Sequence, residues 1–230
     1  MNWFTRFLTS SIGKKLIMSL TGLFLILFLV VHLAGNLQLL LDDGGEAFNI
    51  YAYIMTHNPL IKTISYGTYF FIVLHAIQGI VLAVQNKKAR KSRYAVQTTK
   101  TTGTNSFAAR QMALLGSLIL VFLGIHMGDF WWKMKTNATQ MVSYPDFDYQ
   151  VQDLYEKVNA SFQQEWIVIV YVISMIGLAL HLRHGFQSAF QTLGLNHKKY
   201  TPIIKWIGKV FSFLIPTLFA IIPLFFYFAR

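Results

Sequence analysis

Apolar residues in this chain gather into five long stretches, near 15–40, 61–86, 110–132, 166–190 and 203–228, separated by polar connections. Each stretch approaches or exceeds the roughly 20 residues that an α-helix needs to cross a bilayer core of about 30 Å. The pattern predicts an all-α integral membrane protein with five transmembrane helices in a single domain over residues 1–230. The first stretch begins after Lys14 and Lys15. It is too long for a secretory leader and no small-residue cleavage pattern follows it, so it is read as a mature helix. The longest connection is 133–165, and its second half, "YQVQDLYEKVNASF", has apolar residues at helical spacing. That spacing predicts a short amphipathic helix on the outer surface.

Composition agrees: 54% of residues are hydrophobic, 16% aromatic and only 13% charged, too apolar for an ordinary soluble domain. Charge then adds an orientation. Arg6, Lys14, Lys15, Lys87, Lys88, Arg90, Lys91, Arg93, Lys100, Lys198 and Lys199 occupy the N-terminal segment and the second and fourth connections, which contain no acid. The acids, Asp42, Asp43, Glu46, Asp129, Asp146, Asp148, Asp153, Glu156 and Glu165, fall in or beside the first and third connections. The excess of Lys and Arg on one side predicts a cytoplasmic N-terminus and an external Arg230. The net charge of +11 is therefore topological and is not read as nucleic-acid binding. The chain has no cysteine, which excludes disulfides, thiolate metal sites and covalent haem attachment.

Histidines supply the candidate chemistry. His57 and His197 lie in connections, whereas His32, His75, His126, His181 and His184 fall inside predicted spans. Ionisable side chains in hydrocarbon are costly and usually face the bundle interior with a partner. Counted from the basic side, His32 and His126 lie about 16–17 residues deep and His75 and His181 about 9–11, which at 1.5 Å per residue makes two levels about 10 Å apart. Each level holds two histidines on different helices, an arrangement that suits two haem b groups, each ligated from both faces. The expected pairs are His32 with His126 on an outer haem iron and His75 with His181 on an inner one, held by a bundle of the first four helices.

The flanking residues repeat. "GLFLILFLVVH" and "GSLILVFLGIH" each place a glycine, Gly22 or Gly116, ten residues before the histidine, and Gly79 and Gly185 each follow theirs by four. Missing side chains on such faces admit a flat macrocycle or a neighbouring helix. His184 is read as a hydrogen-bonding or propionate-contacting residue, with Gln78 in the equivalent place after His75. Arg183 either neutralises a propionate or anchors the helix at the membrane edge.

In their order along the chain, the segments "TGLFLILFLVVHLAGN", "GGEAFN", "LHAIQG", "FLGIH" and "HLRHGFQSAFQTLG" resemble the single-chain dihaem cytochrome b membrane subunit of succinate dehydrogenases and fumarate reductases. The resemblance implies that His32, His75, His126 and His181 are the haem ligands and that Ser19 lies near the inner propionates. It also implies a flavoprotein and an iron–sulfur protein as partners on the cytoplasmic face, with electrons passing through two b haems to a quinone, expected to be menaquinone, in a bacterial cytoplasmic membrane. The chain departs from the family at Met18 and Thr192, where relatives have a glutamine and a propionate-binding lysine. Ala179 stands where the fumarate-reductase branch has a proton-carrying glutamate, which leans the reading toward succinate oxidation.

Quinone chemistry moves protons as well as electrons and needs hydrogen-bonding groups near the membrane edge. Glu46, Asp129 and Glu165 qualify by position, with Trp131 and Trp132 as walls, although loop acids and an interfacial aromatic belt would look the same. Competing readings are a dihaem cytochrome b of a hydrogenase or formate dehydrogenase, a cytochrome b561, or a transporter or anchor without haem.

Overall fold

The computed structural model describes residues 2–89 and 110–230. Five of its helical segments are long and apolar enough to cross a membrane: Ser11–Leu40, Pro59–Lys88, Met112–Lys135, Glu165–Thr192 and Thr201–Ala229. The protein is an all-α integral membrane protein, with helix ends close to those expected from hydropathy. Arg90, Lys91, Arg93 and Lys100 of the basic second connection lie outside the described residues.

In chain order, α1 is Trp3–Thr9, α2 is Ser11–Asn36 with a 3-10 turn at Leu37–Leu40, α3 is Glu46–His57 and α4 is Pro59–Ala89. Next, α5 is Met112–His126, continued by a π-helical turn at Met127–Trp131 into α6, Trp132–Lys135. A hairpin of β1 (Met141–Tyr144) and β2 (Phe147–Gln152) follows, then α7 (Leu154–Phe162), α8 (Glu165–Thr192) and α9 (Thr201–Ala229).

Helices α2, α4, α5 and α8 pack in a ring, each against its two neighbours, and α9 lies outside it against α8 and α2. Burial follows this order: 44% of the most apolar window of α8 is buried, against 6% in both α4 and α5. The outer faces of α4 and α5 carry large exposed apolar side chains such as Phe70, Val73, Leu114 and Val121, as a helix facing lipid should.

The densest core sits at the acidic end. There Leu39, Tyr155, Val158, Phe162, Ile167, Val168, Tyr171, Ile222 and Phe226 form one buried cluster joining the 3-10 turn, α7, α8 and α9. Gln163 Nε2 donates to the Phe226 carbonyl at 2.9 Å, and Arg230 meets Asp42 at 2.8 Å, so the end of α9 is tied to two connections.

Two details differ from the expectation. The amphipathic segment is split: Tyr149–Gln152 belongs to β2, and the helix starts only at Leu154. Asp153 causes the break, because its carboxylate accepts from Glu156 N–H at 2.9 Å as an N-cap. The buried face of α7, with Tyr155, Val158 and Phe162, packs on protein rather than lying on lipid. Second, the short helices α1 and α3 were not expected. Asn2 caps α1 through its side chain, and α3 begins after Gly44 and Gly45, whose positive φ angles of 67° and 88° turn the chain into it.

Asn49 of α3 holds this end together. It is 1% exposed. Its amide nitrogen donates to Tyr144 Oη at 2.8 Å and Asp153 Oδ1 at 3.1 Å, while its Oδ1 accepts from Leu154 N–H at 3.0 Å and Tyr155 N–H at 2.9 Å. One side chain thus joins α3, the hairpin and the first turn of α7. Asn49→Ala is expected to cost about 2–4 kcal/mol by orphaning several buried groups. The check is thermal unfolding in detergent together with limited proteolysis, which should newly cut between residues 141 and 153; an unchanged melting temperature and digest would refute the role.

Candidate haem-binding site

Four of the five histidines within the spans meet in two pairs, His32 with His126 and His75 with His181, the same partners that depth along the helices predicts. His32 on α2 faces His126 on α5, with ring centroids 5.8 Å apart and planes at 85°. His75 on α4 faces His181 on α8, with centroids 6.3 Å apart and planes at 67°. Two imidazoles sharing one metal through bonds of about 2 Å would set their centroids roughly 6 Å apart. Both separations match.

The glycines register the two levels. A Cβ built on Gly22 would meet His75 Cε1 at 3.3 Å, and one on Gly116 would meet His181 Cε1 at 4.0 Å. Gly22 and Gly116 therefore lie at the level of the inner pair, one on each helix that carries an outer histidine. Ten residues separate each glycine from that histidine, so the levels are roughly 15 Å apart along the helices, more than the depth count suggested. The close approach of α2 to α4 continues at Gly79, where a Cβ would meet Met18 Cε at 3.2 Å, whereas one on Gly185 would meet nothing within 4 Å.

At the inner level Thr21 sits against the His75 ring. Thr21 Oγ1 donates its only hydrogen to the Ile17 carbonyl at 2.8 Å, shared with Met18 O at 3.1 Å. Its oxygen also lies 3.0 Å from His75 Nδ1, so with the hydroxyl hydrogen on the carbonyl it can accept from a ring that is protonated at Nδ1, the tautomer whose Nε2 lone pair a metal ligand requires. Thr21 is 3% exposed and Ser19, two residues before it, 6%. The Ser19 hydroxyl donates to the Lys15 carbonyl at 2.9 Å, which leaves its oxygen as an acceptor. His181 Nδ1 and Gln78 Oε1 are buried without a hydrogen-bond partner. His184 is half-buried one turn beyond His181, and Arg183 is exposed, the position of a membrane-edge anchor.

The outer level is an aromatic cage. Phe28 stacks on His32 at 5.2 Å and Phe122 on His126 at 5.7 Å, while Phe219 and Phe130 approach the same two rings at 5.6 Å. Tyr171 Oη lies 3.0 Å from His126 Nδ1. Asn36 Nδ2 donates to the His32 carbonyl at 2.7 Å and lies 3.3 Å from its Nδ1. Thr21, Tyr171 and Asn36 were absent from the sequence-based site. Only Asn36 had a local signal, four residues after His32 on the same face.

The three acids considered for quinone separate in space. Asp129, one turn beyond His126 in the π-helical turn, is ion-paired with Lys157 of α7 at 2.6 Å. Its second oxygen, Oδ2, is buried without a partner. Lys157 also donates to Ser161 Oγ at 2.5 Å and sits over the Phe130 ring at 5.4 Å. Glu46 starts α3, and Glu165 is exposed at the start of α8. Trp131 donates to Tyr69 Oη at 2.7 Å, whereas Trp132 is 57% exposed.

Among the described residues no group of three His, Asp or Glu side chains is placed to hold a metal ion. The histidines come in twos. A bare ion would keep most of its coordination sphere open on two ligands, while a haem iron takes four from its macrocycle and needs only an axial pair. The ring separations, the Thr21 oxygen at His75 Nδ1, the small residues at the inner rings and the orphaned Nδ1 of His181 all fit haem.

The fold and site thus define a multi-pass helical membrane protein with two stacked histidine pairs in its bundle. No protein-family model, curated protein or solved structure matches the chain.

The glycine geometry yields a test. Gly116→Ala should be tolerated or stabilise slightly, since alanine gains up to about 1 kcal/mol of helix propensity and its Cβ makes an ordinary contact. Gly22→Leu should push His75 out of line and lower the melting temperature by several degrees, an effect of about 1–3 kcal/mol for overpacking. Equal melting temperatures for the two variants would contradict the registration.

Proposed function

We propose that the chain is a dihaem cytochrome b, the membrane anchor and electron-transfer subunit of a succinate:quinone oxidoreductase in a bacterial cytoplasmic membrane. The observation that carries the cytochrome reading is the meeting of four histidines from four helices in two facing pairs at separate depths. The succinate and fumarate side of the reading rests on the motif resemblance. Haem b, when bound, supplies reversible one-electron chemistry between an iron–sulfur partner on the cytoplasmic face and a membrane quinone such as menaquinone.

The chain's own residues do the positioning. His32 and His126 would hold the outer group, and His75 and His181 the inner one. Thr21 keeps Nε2 of His75 free to ligate by accepting from Nδ1–H. The phenylalanines around the outer pair exclude water and lower the local dielectric, a lever on redox potential. Ser19, His184 and Arg183 lie toward the basic end, where they would meet propionates or, for Arg183, the aqueous edge. Asp129, with one oxygen committed to Lys157 and the other free, is the acid best placed to exchange a proton with a quinone beside the outer pair.

Pyridine haemochrome quantitation on the purified chain is the test, with two b-type haems per chain expected. His75→Ala or His181→Ala should leave one, His32→Ala or His126→Ala should leave the other, and His184→Ala should leave both. Thr21→Val should weaken inner haem retention about 10–100-fold by removing the acceptor for Nδ1–H. A wild-type chain without haem would sink the reading in favour of a haem-free anchor. Loss of the same single haem in His75 and His126 variants would overturn the pairing. A dihaem subunit of a hydrogenase or formate dehydrogenase would pass these tests and differ in the soluble subunits that co-purify.

A further inference from the structure

At the acidic-loop end, away from both histidine pairs, a cavity of about 110 Å³ opens between α3, the start of α4 and α6. Its lining includes Thr56, Lys62, Ser65, Tyr66, Tyr69 and Lys135. The ion pairs found among the described residues, Lys157 with Asp129 and Arg230 with Asp42, involve neither lysine. Two lysines thus line one recess, which is also walled by Met55, Ile61 and Met134, without a carboxylate paired to either. Lys62 also sits in the first turn of α4, where Asn58 Oδ1 accepts from Leu60 N–H at 2.9 Å and where the positive end of the 31-residue helix adds to the field. Tyr69 accepts the Trp131 indole N–H on its oxygen, and its own hydroxyl hydrogen remains available to donate. The recess is electropositive and rich in donors, suited to an oxyanion.

What lies below it says which oxyanion. Tyr66 begins a stripe on α4 that continues through Phe70, Val73, Ile77, Ile80 and Val84, alternating four and three residues apart on one face. Their exposures are 63%, 62%, 57%, 52%, 57% and 45%. The stripe runs roughly 27 Å along the helix axis, the length of a bilayer core, and Tyr66 at its head lines the recess. A ligand that joins a phosphate to long hydrocarbon chains would fill both features at once.

We infer that this recess binds the phosphate headgroup of an anionic phospholipid, with Lys62 and Lys135 as its cationic ligands and the exposed face of α4 as the seat of its acyl chains. The site is independent of haem and of the succinate reading.

The test is native mass spectrometry of the full chain released from non-ionic detergent after equilibration with equal amounts of phosphatidylglycerol and phosphatidylcholine. The wild type should retain phosphatidylglycerol about tenfold over phosphatidylcholine, in line with the attraction of two lysines near a membrane surface. K62Q/K135Q should bring the ratio near parity. K62R/K135R should keep it, as should K198Q/K199Q at the opposite end, which controls for general charge loss. If the double Gln variant does not fold, K62Q and K135Q singly should each give a partial loss. A wild type without preference, or a folded K62Q/K135Q that keeps it, overturns the site. Displacement of the lipid by inorganic phosphate as effectively as by short-chain phosphatidylglycerol would show that the recess recognises the free anion, and would overturn the lipid assignment.

Discussion

In hydrocarbon a polar side chain cannot fall back on water, so it must find its partner inside the chain. The bundle is arranged around that constraint. Four of its helices each bring one imidazole inward, and each imidazole meets another from a different helix. The remaining polar atoms follow the same rule where they can: Thr21 and Ser19 spend their hydroxyl hydrogens on carbonyls one turn back, and Tyr171 turns its phenol toward His126. Among the described residues the rule is broken at His181 Nδ1, at Gln78 Oε1 and Asp129 Oδ2, each three residues after a paired histidine, and at Tyr155 Oη in the core of the acidic end. Buried orphans of this kind are costly and are worth reading as traces of function rather than as accidents of packing.

The constraint also explains why so much was legible in the sequence. Spans are long and apolar by necessity, so their number and approximate ends could be read directly. Any histidine inside one had to face inward, and the alternating direction of successive helices converted sequence positions into depths. That is enough to pair His32 with His126 and His75 with His181 before any coordinates. The spacing between levels came out too small because the count was taken from uncertain helix ends, whereas the Gly22–His75 and Gly116–His181 contacts measure it within one helix.

What escaped the sequence lies outside the membrane or across it. The hairpin and the late start of α7 depend on Asp153 as a cap and Asn49 as its distant partner, a pairing 104 residues apart that has no local signature. The helix α3 is short, follows two glycines in left-handed backbone, and its apolar residues are too few to stand out beside a span. Thr21 and Tyr171 read as ordinary residues of apolar runs until the fold sets them against histidines 54 and 45 positions away.

The two pairs are alike in ring separation and differ in surroundings. The outer rings are enclosed by phenylalanines from α2, α5, α9 and the π-helical turn, with Tyr171 Oη and Asn36 Nδ2 at their Nδ1 atoms, while Gly22, Gly116 and Thr21 lie against the inner ones. For any redox group held on the same kind of ligand, a less polar shell disfavours the more highly charged state, whereas nearby hydrogen-bond donors and acceptors moderate that preference. Near the outer pair Asp129 is ion-paired with Lys157, and their opposite charges largely cancel at distance, while the second Asp129 carboxylate oxygen is buried without a partner. If each pair held a haem as proposed, like ligands in unlike shells would set the two centres at different potentials. The asymmetry is written in the side chains packed around the histidines and not in the histidines themselves.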